Sequence, residues 1–161
     1  MRTSAEVKFI TDANLGKLAK WLRILGYNTI FYTGSADRNF LRKAECEERV
    51  VLTRRKDMEG RQFSGQLVMI RSDQVQNQLE EVIDKLHLRP DSERIFSICL
   101  RCNELLIKIN REEVSGLVPD HVYAGQTEFH MCSHCRGIFW PGTHMNNARR
   151  YLRTRIQNHH P

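Results

Sequence analysis

Four cysteines stand in two short pairs, Cys99-Leu-Arg-Cys102 and Cys132-Ser-His-Cys135. Both pairs have knuckle spacing, and together they offer four thiolates. Four thiolates give tetrahedral Zn2+ with no coordination position left for substrate, which is the structural rather than the catalytic pattern. Zn2+ on Cys99, Cys102, Cys132 and Cys135 is therefore expected, and folding of the small region around it should depend on the metal. The residues between the knuckles read as a hairpin, so a zinc ribbon is the natural form. His121, His130, His134 and His144 lie nearby. His134 sits inside the second knuckle and reads as an exposed loop residue, since the sulfurs already supply four donors. Cys46 stands apart and reads as a small buried hydrophobe.

Four aspartates point to a second chemistry. Asp12 closes an apolar run of Val7, Phe9 and Ile10, Asp37 follows a second such run, Asp57 lies a few residues beyond Thr53, and Asp73 follows Ser72. In an open α/β sheet, sites form outside the carboxyl ends of the strands, where all four could converge. Acids gathered there repel one another unless a cation joins them. With Mg2+ or Mn2+ they become a site for phosphodiester hydrolysis, the metal activating water and steadying the leaving oxygen. The same positions suit helix N-caps, and capping alone would account for Asp12, Asp37 and Asp73. Asn14 either hydrogen-bonds Asp12 or helps to start a helix. Lys17 and Arg23 either meet phosphate or belong to a solvated helix face.

The elements that would position these residues are legible from periodicity. A strand is predicted over 7–11 and a helix over 14–25, with Leu15, Leu18, Leu22 and Leu25 on one face and Gly26 at its end. The run 28–33 predicts a second strand, and Asp37 opens a helix carrying Phe40, Leu41 and Ala44. Strands over 49–53 and 66–72 follow, then a helix with Val75, Leu79, Val82, Ile83 and Leu86 along one stripe. Strands alternating with helices imply βαβ units and a mostly parallel sheet. The polar run 88–94 reads as a linker. Beyond it short β-like runs lie among turns, and a last helix over 145–157 carries Ala148, Tyr151, Leu152 and Ile156 on one side. The expected division is 1–92 for the α/β unit and 93–161 for the ribbon and C-terminal helix.

The 161 residues carry a net charge of +6 and a pI near 9.3. That balance favours a polyanionic partner, and its sharpest cluster is the run 149–155, with Arg149, Arg150, Arg153 and Arg155. A hydrophobic content of 40% with 27% charged residues argues for folded protein rather than disorder. No apolar run approaches the ~20 residues needed to cross a bilayer. The first residues lack a signal-peptide core, so a soluble, cytoplasmic protein without membrane contact is expected.

The stretch 9–29, FITDANLGKLAKWLRILGYNT, resembles the opening signature of the Mut-seven C-terminal RNase domain family, a PIN-like nuclease fold joined to a zinc ribbon. The resemblance continues through VVLTR, CLRCNELL and Val118-Pro119, and closes on the motif running from Phe129 to His144. It implies a PIN-like three-layer α/β/α domain, then the four-cysteine ribbon, with metal-dependent ribonuclease activity. By position, Asp12 matches the family's first-strand acid, Asp37 the acid opening the second helix, and Asp73 an acid-rich turn. Asp12 and Asp37 would bind the divalent metal, with Asp57 or Asp73 completing the shell. One departure stands out. The family motif L-T-R-D reads Leu52-Thr53-Arg54-Arg55 here, so Arg55 occupies the place of an acid. Trp140, Pro141, Gly142 and His144 match the closing motif. Trp140 is expected to pack the ribbon on the final helix, and His144 is left between RNA contact and packing. RNA is the expected partner, through Lys17, Arg23, Arg54, Arg149, Arg150 and Arg153, while the oligomeric state is not set by the sequence. The rival to a ribonuclease is a non-catalytic RNA-binding or adaptor protein that has kept fold and zinc and lost its acid at 55. A purely structural interaction module is the third alternative.

Overall fold

A computed structural model describes residues 7–158. The side chains of His144 and Ile156, both singled out in the sequence, lie outside the described residues. Strands β1 (Phe9–Thr11), β2 (Thr29–Phe31), β3 (Val50–Thr53) and β4 (Leu67–Met69) form a parallel sheet in the order β2-β1-β3-β4. All four residues of β3 are buried, as its apolar run requires of a strand covered on both faces. Successive side chains of β1 part to the two faces. Phe9 joins the core under α1 (Gly16–Ile24) and α3 (Val75–Lys85), and Ile10 joins the core under α2 (Arg38–Cys46).

The right-handed crossover rule accounts for this division. The chain steps from β1 to β2 in one direction and from β2 back past β1 to β3 in the other, so α1 and α2 fall on opposite faces. The step from β3 to β4 continues the second direction, and its Met58 and Phe63 pack on the α2 side. Cys46 is exposed, which corrects its reading as a buried hydrophobe. The buried stripe of α2 is Phe40, Leu41 and Ala44, and a residue two further on is turned about 200° around the helix.

The segment read as a linker folds back on the end of α1. Leu88 and Ile95 are buried, and the Arg94 guanidinium donates to the Gly26 carbonyl at 3.0 Å. Gly26 has φ +85°, and a Cβ there would lie 2.5 Å from the Arg94 carbonyl oxygen. Glycine is thus required both by backbone conformation and by close approach.

Strands β5 (Leu106–Ile109), β6 (Phe129–Cys132) and β7 (Ile138–Phe139) form an antiparallel sheet in that order. The connection expected as a simple hairpin contains a 3-10 turn at Arg111–Val114 and the short helix α4 (Asp120–Gly125). Val114, Val118 and Val122 close with Phe129 into a small core of their own. Trp140 packs against this core. That helix, α5 (Thr143–Asn158), puts Met145, Ala148 and Leu152 into the α1–α3 core. Trp21 and Tyr151 meet at 6.1 Å between ring centres, and Arg155 pairs with Asp84. The larger apolar surface is on the α/β unit, and α5 buries its stripe there. Among the described residues no helix is long and apolar enough to cross a membrane.

Candidate functional site

The strand order reverses between β1 and β3, which makes their carboxyl ends the switch point of the sheet. Asp12 stands there, 2% exposed, and is the one buried carboxylate among the described residues. Its Oδ1 accepts the Asn14 N–H at 2.9 Å, so it does cap the 3-10 turn Ala13–Leu15 that leads into α1. Its Oδ2 accepts the Thr53 hydroxyl at 2.6 Å, from the end of β3. Capping therefore occupies one oxygen, and a bond across the switch point fixes the other. Thr53 Oγ1 in turn accepts the Arg55 N–H at 3.1 Å.

The other acids lie along the same edge in different company. Asp37 is exposed and caps α2, accepting from Asn39 N–H at 2.9 Å and Phe40 N–H at 3.4 Å. Asp57 is held by Arg55, whose Nε and Nη2 donate at 3.1 and 3.0 Å, and by Arg61 Nη2 at 3.1 Å. The hydrogen bonds from Arg55, more than those from Arg61, hold the Asp57 carboxyl below the usual range, and the same fork raises Arg55. Arg55 feels the Asp12 charge without pairing with it, and its Nη1 reaches the Ala36 carbonyl at 3.4 Å. Asp73 is exposed and pairs with Arg54. It does not cap α3, whose N-cap is Gln74.

Behind Asp73 the loop is clamped from α3. The Glu81 carboxylate accepts the N–H groups of Ser72 at 2.7 Å and Arg71 at 3.1 Å, and Gln78 donates to the Ser72 carbonyl at 2.9 Å. Burial alone would raise the Glu81 pKa. The bonds from Ser72 and Arg71, with Lys85, outweigh it and hold the carboxyl at about 2.

The cysteines do converge. The sulfurs of Cys99, Cys102, Cys132 and Cys135 all lie within 4.8 Å of one another, positioned to bind a metal ion and consistent with structural zinc. They form the one such group of His, Cys, Asp or Glu donors among the described residues. Each knuckle ends on a residue with positive φ, Asn103 at 63° and Arg136 at 61°. The Gly137 N–H donates to Cys135 Sγ at 3.4 Å and leads the effects that bring that thiol down to about 7. Burial, then the neighbouring sulfurs, push Cys102 up to about 12. Thiols this close cannot all ionise without a cation between them. His134 is exposed, as its loop position predicts.

The cationic candidates divide. Lys17 is exposed on α1, and Arg149, Arg150 and Arg153 are exposed on α5. Arg54 is engaged by Asp73. Arg23 is half-buried, donating to the Thr29 carbonyl and the Leu100 carbonyl at 2.8 Å each, so it pins β2 to the first knuckle. Desolvation lowers its pKa. A second tie lies beside it. Buried Arg49 donates to Asn28 Oδ1 at 2.6 Å, Asn103 Nδ2 donates to the same oxygen at 2.9 Å, and Asn103 Oδ1 accepts the Thr29 N–H at 2.8 Å. Neither this network nor the Thr53–Asp12 bond has a local signature, because the partners are far apart in sequence.

No curated protein matches the chain. The model of the Mut7-C RNAse domain matches residues 7–152, a span that holds both the sheet with Asp12 and the four cysteines. The chain belongs to the Mut7-C RNAse domain family.

Proposed function

We propose that the protein is a ribonuclease that hydrolyses RNA phosphodiester bonds at the carboxyl edge of its parallel sheet, with zinc in the ribbon as a structural element that aids RNA binding. The observation that carries this reading is Asp12, a buried carboxylate fixed at both oxygens at the switch point of an RNase-family fold. Asp12 would orient the attacking water and accept its proton. Of the four candidate aspartates, Asp37 is the other one without an arginine partner, and Arg54 and Arg55 would neutralise phosphate oxygens. Thiols kept reduced for a metal suit a cytoplasmic setting.

The family resemblance asks for Mg2+ or Mn2+ on Asp12 and Asp37, completed by Asp57 or Asp73. The acids as they stand do not fit that ion. Asp57 is held by Arg55 and Arg61, Asp73 is paired with Arg54, and no three carboxylates among the described residues lie close enough to share one cation. The same arrangement favours a second reading, an RNA-binding or adaptor protein with a degenerate site.

Incubation of labelled RNAs with the purified chain, with and without Mn2+, separates the two. Cleavage that disappears in Asp12→Asn supports the ribonuclease. RNA that is bound yet stays intact, with wild type and with Arg55→Asp alike, supports the adaptor.

A further inference from the structure

The cations on the α2 side of the sheet are better placed for a polyanion than those on α5. Arg38 and Arg42 are exposed one turn apart on α2, and Arg61 approaches from the β3–β4 connection. All three line an open groove of about 600 Å3. Arg38 opens α2, where the helix dipole is positive and a cation is disfavoured. Arg42 repeats the charge at i+4, which is repulsive. Neither has an ion-pair partner among the described residues. The one carboxylate in the lining, Glu45, is engaged by Ser64, accepting its N–H and its hydroxyl at 3.0 Å each. Arg61 is paired with Asp57 and Arg42 acts on Glu45, but the pair Arg38 and Arg42 at the start of α2 breaks local helix rules, as happens where a ligand supplies the missing charge.

A relay of hydrogen bonds links the groove to the edge that carries Asp12. Arg61 shares Asp57 with Arg55, and Arg55 bonds through its N–H to Thr53, the partner of Asp12. Arg38 directly follows Asp37, the N-cap of α2. Residues four apart on a helix rise about 6 Å, comparable with consecutive phosphates of an extended strand.

We infer that Arg38, Arg42 and Arg61 form a track for the phosphate backbone of single-stranded RNA, leading from the Asp12 edge across α2. This rests on the proposed action on RNA and adds the path the strand takes. The groove holds no aromatic side chain, so the track reads backbone charge and is tolerant of sequence. It lies on the opposite face of the sheet from α5, whose Arg149, Arg150 and Arg153 are then a solvated face.

Fluorescence anisotropy on the full chain tests this with a labelled single-stranded RNA of roughly 12 nucleotides and, as competitor, a mononucleotide. A denaturing gel after each titration checks that the RNA is intact, so that cleavage plays no part. Arg38→Glu/Arg42→Glu should weaken binding about tenfold or more near 50 mM salt and reduce the log–log salt slope by roughly 1.4, two contacts at about 0.7 each. Arg149→Glu/Arg153→Glu should stay within about twofold of wild type. Circular dichroism checks folding, and Arg38→Gln/Arg42→Gln gives a smaller loss in the same direction should charge reversal disturb α2. Unchanged affinity in the α2 variants, or a loss confined to the α5 variant, overturns the track. A mononucleotide that competes as well as the long RNA also overturns it, leaving a single-phosphate site. Binding through α2 by a protein that never cleaves RNA would defeat the ribonuclease and leave the track intact.

Discussion

Asp12 and Thr53 make a pair whose two halves respond differently to mutation. An N-cap needs an acceptor and no charge, so Asp12→Asn keeps the bond to the Asn14 N–H. The Thr53 hydroxyl must then turn to accept from the new amide. The cost should stay within about 1 kcal/mol, with cleavage lost. Thr53→Ala leaves a buried carboxylate oxygen without its donor and should cost about 1–3 kcal/mol in urea denaturation, more than the change at Asp12 itself. A Thr53→Ala variant as stable as wild type would show that the 2.6 Å bond carries little. Arg55 is the next residue along. Arg55→Ala releases Asp57 from the Arg55 fork, and Arg55→Asp adds an acid where the resemblance leads one to expect it. If the arginine is what weakens the site, cleavage should rise from wild type to Ala to Asp. A silent protein that remains silent in Arg55→Asp places the cause elsewhere. The pairing of Arg55 with Asp57, and of Arg54 with Asp73, could not be read from spacing, since one-dimensional order says which acids reach the edge and not which cation takes each.

At the level of elements, the α/β half was legible because its helices are amphipathic and its central strands β1 and β3 are short, buried, largely apolar runs. Phe40, Leu41 and Ala44 of α2, and Leu79, Val82 and Ile83 of α3, are buried as their periodicity requires. α4 and the turn at Arg111–Val114 were missed, being too short to show a period. For α5 the stripe was visible and its partner was not. Ala148, Tyr151 and Leu152 say that one face is buried, while only the fold adds Met145 and shows that the face lies on α1 and α3. Leu152→Ala should therefore destabilise the α/β core, by about 2–4 kcal/mol in urea denaturation. The loop after β4 gives a pH-dependent test. The Glu81 pKa is lowered on folding, so its stabilisation is full above the ordinary value of 4.5 and is lost as pH falls through about 2. Glu81→Gln should be less stable at neutral pH, by about 1–2 kcal/mol after solvent screening. The gap to wild type should close between pH 4.5 and 2. A gap independent of pH in that window would mean that Glu81 acts by shape and not by charge.

For the whole molecule, the question is whether zinc stabilises the ribbon alone or the entire chain. The four cysteines are positioned to bind a metal within the ribbon, but several ties run from the first knuckle into the parallel sheet. Arg23 joins the Thr29 and Leu100 carbonyls, Asn103 joins Asn28 and Thr29, and α5 returns from the ribbon to cover α1 and α3. Residues 1–92 and 93–161 are thus proposed as units of sequence and function, joined in one cooperative structure. The chain has two tryptophans, Trp21 on α1 and Trp140 in the ribbon, so Trp140→Phe leaves Trp21 as a reporter of the α/β unit. One Zn2+ per chain should be found by metal analysis. On its removal the ribbon should unfold, because its own apolar core is small and metal binding is folding energy for such a unit. Loss of the knuckle geometry should then release Asn103 from its left-handed conformation, strand the Thr29 N–H, and leave Arg23 with the Thr29 carbonyl and Asn28 with Arg49 but without their ties to the ribbon. The Tm read from Trp21 should fall by several degrees, since even about 1–2 kcal/mol moves Tm that far in a chain of this size. A Trp21 transition that stays where it was after zinc removal would show instead that the sheet carrying Asp12 stands alone, and that the ties across residue 92 follow the fold without supporting it.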